Sequence, residues 1–133
     1  MTTEDLKAKG FVSWSKFNSV RKAELLLRLP RKFGVYVIRA NKPVKRARGE
    51  SDIVYFGSAC NQNGLRGRIN QYFSPGPTQP TNKRIIALVG ESDDYEIGWF
   101  QVPAKSDAVA LEQRLLERYI ADHGERPPQN LKG

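Results

Sequence analysis

This chain of 133 residues is poor in the side chains from which many hydrolytic and metal sites are built. It has one cysteine, Cys60. No internal disulfide can form, and a cysteine-rich zinc site is excluded; Cys60 reads as a small filler near a loop. It has one histidine, His123, which removes serine–histidine triads, cysteine–histidine pairs and multi-histidine metal centres. His123 precedes Gly124, and the pair reads as a helix end. Long apolar runs are absent as well; the longest stretches are a few residues, far short of the ~20 that span a bilayer. The start, Met1-Thr2-Thr3-Glu4-Asp5-Leu6-Lys7, is polar and acid-bearing, unlike a secretory signal. A soluble, cytoplasmic protein is the expectation. Acids are also scarce relative to bases: 14 Asp and Glu against 22 Lys and Arg leave a net charge of +8. That excess favours a polyanionic partner, nucleic acid before others.

The length suits one compact domain, and an apolar share of 39% gives it a modest core. Residues 1–30 read as a helical N-terminal lead-in with apolar positions Trp14, Phe17, Val20, Leu25, Leu26 and Leu29, stopped by Pro30. Residues 34–39 and 53–56 are rich in β-branched and aromatic residues and read as strands. Pro43 and Gly49 punctuate the stretch from Ala40 to Asp52, which reads as a loop joining an antiparallel pair. A helix is expected after Asn63-Gly64, running to about Phe73. Residues 74–80 hold Pro75, Pro77 and Pro80 and read as loop. A second helix is expected over 82–89, and a third strand over 95–102. The last helix starts near Ser106, a candidate cap with Asp107 in the first turn. It runs to about Asp122 and stops at Gly124, with Pro127 and Pro128 barring continuation. The sum is an α+β fold: a three-stranded, mainly antiparallel sheet flanked by helices, with the domain proper spanning 31–133.

The last helix carries an acid where apolar residues are expected. Projected at about 100° per residue, Ala108, Val109, Leu111, Leu115, Leu116, Tyr119 and Ile120 fill one broad arc. Gln113, Arg114 and Glu117 lie outside it, and Glu112 falls near its middle. A carboxylate there needs a cation, hydrogen-bond donors, a metal ion or access to water, because an unpaired buried charge is costly. A salt bridge to an arginine at the edge of the core would satisfy it as well as a functional site would.

Five pieces taken in order, Gly34-Val35-Tyr36, Tyr55-Phe56-Gly57, Leu65 to Phe73, Leu111-Glu112 and Pro127 to Asn130, resemble the GIY-YIG nuclease superfamily. The likeness is strongest to the nuclease domain of excinuclease C, through Arg68-Ile69-Asn70-Gln71-Tyr72-Phe73. It covers roughly residues 30–130. Each piece alone is common by chance; their order and their agreement with the expected strands and helices carry the resemblance. The chain departs from the pattern at Ser58, where that relative has lysine, and at Tyr72, where many members have histidine. The segment from Gly57 to Leu65 is longer than usual, and the first loop is longer and strongly basic.

The resemblance implies a metal-dependent endonuclease that hydrolyses DNA phosphodiesters and leaves 5′-phosphate and 3′-hydroxyl ends. Tyr36, Tyr55, Arg68 and Glu112 take the catalytic positions. Glu112 would hold Mg2+ or Mn2+, Arg68 would contact the scissile phosphate, and Tyr55 and Tyr36 would orient or deprotonate water, in an undecided division of labour. Gly34, Gly57, Ser58 and Asn130 would support the site, with a turn-forming role favoured for Asn130. Lys42, Lys45, Arg46, Arg48 and Arg66 are the expected DNA-backbone contacts. One carboxylate suffices for such a metal site when water and substrate phosphate complete the shell. The rival readings are a non-catalytic nucleic-acid-binding module of the same fold, and a protein-interaction subunit in which Glu112 is a buried structural acid. A homo-oligomer or a separate specificity partner remains open, since the chain has little room for a targeting domain.

Overall fold

The computed structural model describes residues 1–131; Lys132 and Gly133 lie outside the described residues. Among the described residues, five helices and four strands follow one another as α1 (Thr3–Ala8), β1 (Val12–Lys16), α2 (Lys22–Arg28), β2 (Gly34–Lys45), β3 (Glu50–Ala59), α3 (Gly64–Phe73), α4 (Pro80–Val89), β4 (Tyr95–Gln101) and α5 (Lys105–His123). The strands form one antiparallel sheet in the order β1-β4-β2-β3. The α+β architecture is as expected, but the sheet has four strands rather than three. The extra strand, β1, interrupts the predicted helical lead-in. Trp14 explains it: its indole packs on the bare backbone of Gly98 in β4, where a Cβ would lie 2.6 Å from the ring. Of the apolar positions in that lead-in, Phe17, Leu25 and Leu29 are buried, whereas Val20 is 67% exposed.

Side chains alternate across the central strand β2, and each face has its own core. Tyr36 and Ile38 face Phe17, Leu25, Leu29, Leu65, Ile69, Tyr72, Ile85 and Val89, so α2, α3 and α4 cover that side. Val35 and Val37 face Leu6, Phe11, Phe56, Leu115 and Tyr119, so α1 and α5 cover the other. This is the period-2 alternation of a strand buried on both faces.

The predicted loop from Ala40 to Asp52 is mostly strand. β2 and β3 continue past the core as a two-stranded arm, with Val44 opposite Ser51 and Lys45 opposite Glu50. Its tip docks on the end of α5. Arg46 pairs with Glu125 at 3.1 Å, and Arg48 donates to the Ala121 carbonyl at 2.7 Å. A cation at the C-terminal end of a helix satisfies orphan carbonyls and matches the dipole there. His123, the last residue of α5, is buried and bonds the Arg48 carbonyl through Nδ1 at 2.9 Å. Gly124 follows in the left-handed region at φ 77°, ending the helix as predicted. The helix begins earlier than expected: Ala104, not Ser106, is the N-cap, and it makes no side-chain capping bond.

Candidate functional site

β3 is an edge strand, and the candidate residues gather around its free edge. Its path is irregular there. Ile38 pairs with Tyr55 and Arg39 pairs with Ile53, so Val54 is an extra residue. Such a bulge bends a strand and re-aims its side chains; Val54 and Tyr55 both join the α3 side of the core. The C-terminal segment closes the edge. The Asn130 side chain accepts from the Phe56 N–H and donates to the Phe56 carbonyl, both at 2.9 Å. The Gln129 N–H donates to the Val54 carbonyl at 2.9 Å. Asn130 thus stands in for a neighbouring strand. It has two roles: its own N–H closes the expected local turn on the Pro127 carbonyl at 3.1 Å, and its side chain holds the backbone between Tyr55 and Gly57.

Tyr36 and Gly57 are direct partners across β2 and β3. The Tyr36 ring lies flat over Gly57, where any Cβ would collide with the phenol. The ring cannot yield, because it is fully buried and its hydroxyl is hydrogen-bonded to that of Tyr72 at 2.7 Å. We therefore expect Gly57→Ala to cost about 1–3 kcal/mol of stability, the scale of overpacking in a closed core, read as a lowered urea midpoint. An unchanged midpoint would mean that Tyr36 can move. Gly34 meets a similar limit between the Phe100 carbonyl and Leu65.

Arg68 projects from α3 into this aromatic cluster. Its guanidinium carbon lies 4.8 Å from the Tyr72 ring centroid and 6.0 Å from that of Tyr36. Tyr72 is the i+4 neighbour of Arg68, which puts both on one helix face. Arg68 donates to the Asn82 side-chain oxygen at 3.1 Å, with longer contacts to Gln71 Oε1 at 3.4 Å and the Tyr72 hydroxyl at 3.5 Å. A cation held over two rings and tied to a buried amide has its plane and position set. Tyr36 and Tyr55 complete the group, with ring centroids 6.2 Å apart. Burial pushes the Tyr36 phenol far above its usual range, more than the Arg68 charge pulls it down. Tyr72 is raised in the same way, by burial first and its tyrosine neighbours second. Tyr55, in contrast, is only half-buried.

Glu112 approaches from the opposite face of the sheet, on α5. It is half-buried and lies on the helix face of the buried Ala108, Leu115, Tyr119 and His123, as the projection suggests. The apolar arc is narrower than the projection suggests, since Val109 is 50% exposed. Burial raises the carboxyl above the usual carboxylate range; the Arg68 charge and a hydrogen bond from Ser58 partly oppose this. Ser58 therefore serves Glu112, one strand position beyond Gly57. Arg68 is not in salt-bridge contact with Glu112 among the described residues.

The structure thus groups Tyr36, Tyr55, Gly57 and Arg68 on the α3 side of β3, sets Ser58 and Glu112 on its α5 side, and puts Asn130 on its free edge. It does not bring Arg66 there. Arg66 lies on another side of α3 and donates through Nε to the Leu29 carbonyl at 2.8 Å. The four basic residues of the arm are divided: Arg46 and Arg48 are engaged at the end of α5, while Lys42 and Lys45 stay exposed. Asn82 was not legible as a site residue, since only the path of residues 74–80 brings the start of α4 to Arg68. Tyr72 could have been found from its helical spacing to Arg68. Compared with models of protein families the chain has no match, and compared with curated proteins it has none either. No helix among the described residues is long and apolar enough to cross a membrane.

The Glu112 carboxylate is a hard oxygen donor, the kind that divalent cations such as Mg2+ take. Among the described residues no three His, Cys, Asp or Glu side chains converge, so the protein offers one carboxylate, Glu112, with the Ser58 hydroxyl beside it. Oxygen donors of this kind, few in number, match Mg2+ or Mn2+ sites that rely on water and substrate phosphate for the rest of the shell. A cation at Glu112 would also remove the penalty of a half-buried charge.

Proposed function

We propose that this protein is a divalent-metal-dependent endonuclease of the GIY-YIG type that hydrolyses DNA phosphodiesters to 5′-phosphate and 3′-hydroxyl ends. The observation that carries this reading is Arg68 held over Tyr36 and Tyr72 beside the edge strand, near enough for its charge to act on the half-buried Glu112. The net charge of +8 suits a polyanionic substrate.

Arg68 binds the non-bridging oxygens of the scissile phosphate with the donors that Asn82, Gln71 and Tyr72 leave free. Its fixed plane matters, because a donor that need not reorganise stabilises developing charge most. Tyr55 orients the attacking water. Tyr36 is sealed from solvent, with its hydroxyl engaged by Tyr72; it positions Arg68 and does not touch the water. Glu112, oriented by Ser58, would hold Mg2+ or Mn2+, which would supply charge neutralisation at the phosphate and a more acidic water. Lys42 and Lys45 remain for the DNA backbone.

The test is to incubate the purified chain with supercoiled plasmid in magnesium, in manganese and in chelator. Metal-dependent nicking is the expected result; duplex binding without nicking in either metal would leave a non-catalytic nucleic-acid-binding module instead. Tyr55→Phe is expected to slow nicking by about 10²-fold or more, the scale of a lost positioned hydroxyl in proton transfer. Tyr36→Phe is expected to slow it less. Equal rates for Tyr55→Phe and wild type in single-turnover assays would remove the role assigned to Tyr55.

A further inference from the structure

A second concave feature lies on the α5 side of the sheet, away from Tyr55 and Arg68. It is a cavity of about 300 Å³, at the lower end of the ~300–1,000 Å³ typical of small-ligand sites. Phe11, Phe100 and Leu111 form its apolar walls, and Lys9, Arg114 and Arg118 stand at its rim. The two phenylalanine rings are 5.6 Å apart and tilted by 38°. Arg114 and Arg118 are i,i+4 neighbours on α5, and both are exposed. None of the three cations forms a salt bridge among the described residues. The carboxylate nearest Arg118 in sequence on the C-terminal side of α5, Asp122, is taken by the N-terminal ammonium at 3.0 Å.

Unpaired cations around an aromatic hollow call for a ligand with an apolar, flat body and several negative charges. We propose that this cavity takes one unstacked nucleobase of a single-stranded stretch of DNA, with the flanking phosphates on Arg114, Arg118 and Lys9. A base offers a π-face to Phe100 whatever its identity, and aromatic platforms beside a cationic track are how sequence-tolerant single-strand sites are made. The i,i+4 spacing of the arginines, about 5–6 Å between Cβ atoms, lets their long arms reach neighbouring phosphates of one strand. Leu111 adjoins Glu112, so α5 carries both this cavity and the acid of the candidate site. The inference rests on the DNA reading above and narrows it to DNA with an unpaired segment.

Fluorescence anisotropy with a labelled oligothymidylate of about ten nucleotides, in chelator, tests it without any cleavage. For Arg114→Ser/Arg118→Ser the slope of log affinity against log salt is expected to flatten by about 1.4, from ~0.7 for each single-strand phosphate no longer neutralised. For Phe100→Leu, affinity is expected to fall about 10-fold with the slope unchanged, as loss of base stacking predicts. An oligonucleotide of abasic sites should bind the wild type as weakly as oligothymidylate binds Phe100→Leu. A wild-type slope in the double variant overturns the proposal, and so does displacement of the oligonucleotide by octanoate, which would make the cavity a carboxylate site. Both arginines are exposed, so the double variant decides the matter even where Phe100→Leu fails to fold. Binding takes place without metal, so an absence of plasmid nicking would count against the nuclease reading and leave this cavity standing.

Discussion

Glu112→Gln is expected to abolish nicking while leaving the fold and DNA binding intact. The rate should fall on the order of 10³-fold or more, since a metal ion at a phosphate is worth several kcal/mol of barrier and each ~1.4 kcal/mol is tenfold. The expectation for stability has an explicit sign. Burial raises the Glu112 carboxyl above its ordinary value, so at neutral pH the folded state bears the cost of keeping it ionised. Glutamine keeps the shape and a partner for Ser58 and removes that cost, so the thermal midpoint should hold or rise slightly. Single-turnover nicking across a magnesium titration, paired with thermal unfolding, checks both halves. Wild-type rates at any magnesium concentration would dismiss Glu112 as the metal ligand. A marked loss of stability with nicking preserved would instead make it a structural acid answering to Arg68.

Arg68→Ala should lower the single-turnover rate by about 10²–10³-fold, the loss seen when one preorganised donor to developing charge is removed. Arg66 provides the control, two residues away on the same helix. Its Nε is engaged with the Leu29 carbonyl, so Arg66→Ala should leave the rate nearly unchanged and cost roughly 1 kcal/mol of stability, the worth of an ordinary hydrogen bond. Arg68→Lys should recover little, because a point charge cannot lie flat over Tyr72 while donating to Asn82. A larger rate loss for Arg66→Ala than for Arg68→Ala would place the phosphate on the other side of α3 and overturn the site described above.

Much of this architecture was legible from the chain alone because its signals are local. Apolar β-branched runs marked the start of β2, the core of β3 and β4, and Gly124 marked the end of α5; Pro80, expected in a loop, is instead the first residue of α4. The spacing of Arg68 from Ile69, Tyr72 and Phe73 set the register of α3, and the misplaced acid in α5 pointed to Glu112. What misled was also local. The apolar positions of residues 12–16 suit either a helix or a strand, and the bare backbone of Gly98, distant in sequence, decides for a strand by accepting Trp14. The charges of residues 42–48 resemble a solvated loop, yet the strands run through them and Arg46 and Arg48 turn to α5.

By itself the sequence determined the fold class, the excess of positive charge and a short set of polar residues worth attention. Periodicity, breakers and composition act over a few residues and need no partner. Only the tertiary structure decided which of those residues meet, because meeting depends on contacts between segments far apart in the chain. It placed Gly57 beneath the Tyr36 ring, clipped β3 with Asn130, separated Arg68 from Arg66, and gave Arg68 a buried partner in Asn82. It also distinguished two tyrosines that look equivalent in sequence. Tyr36 lies under α3, in a core that excludes water, while the Val54 bulge brings Tyr55 to the half-open edge of the sheet.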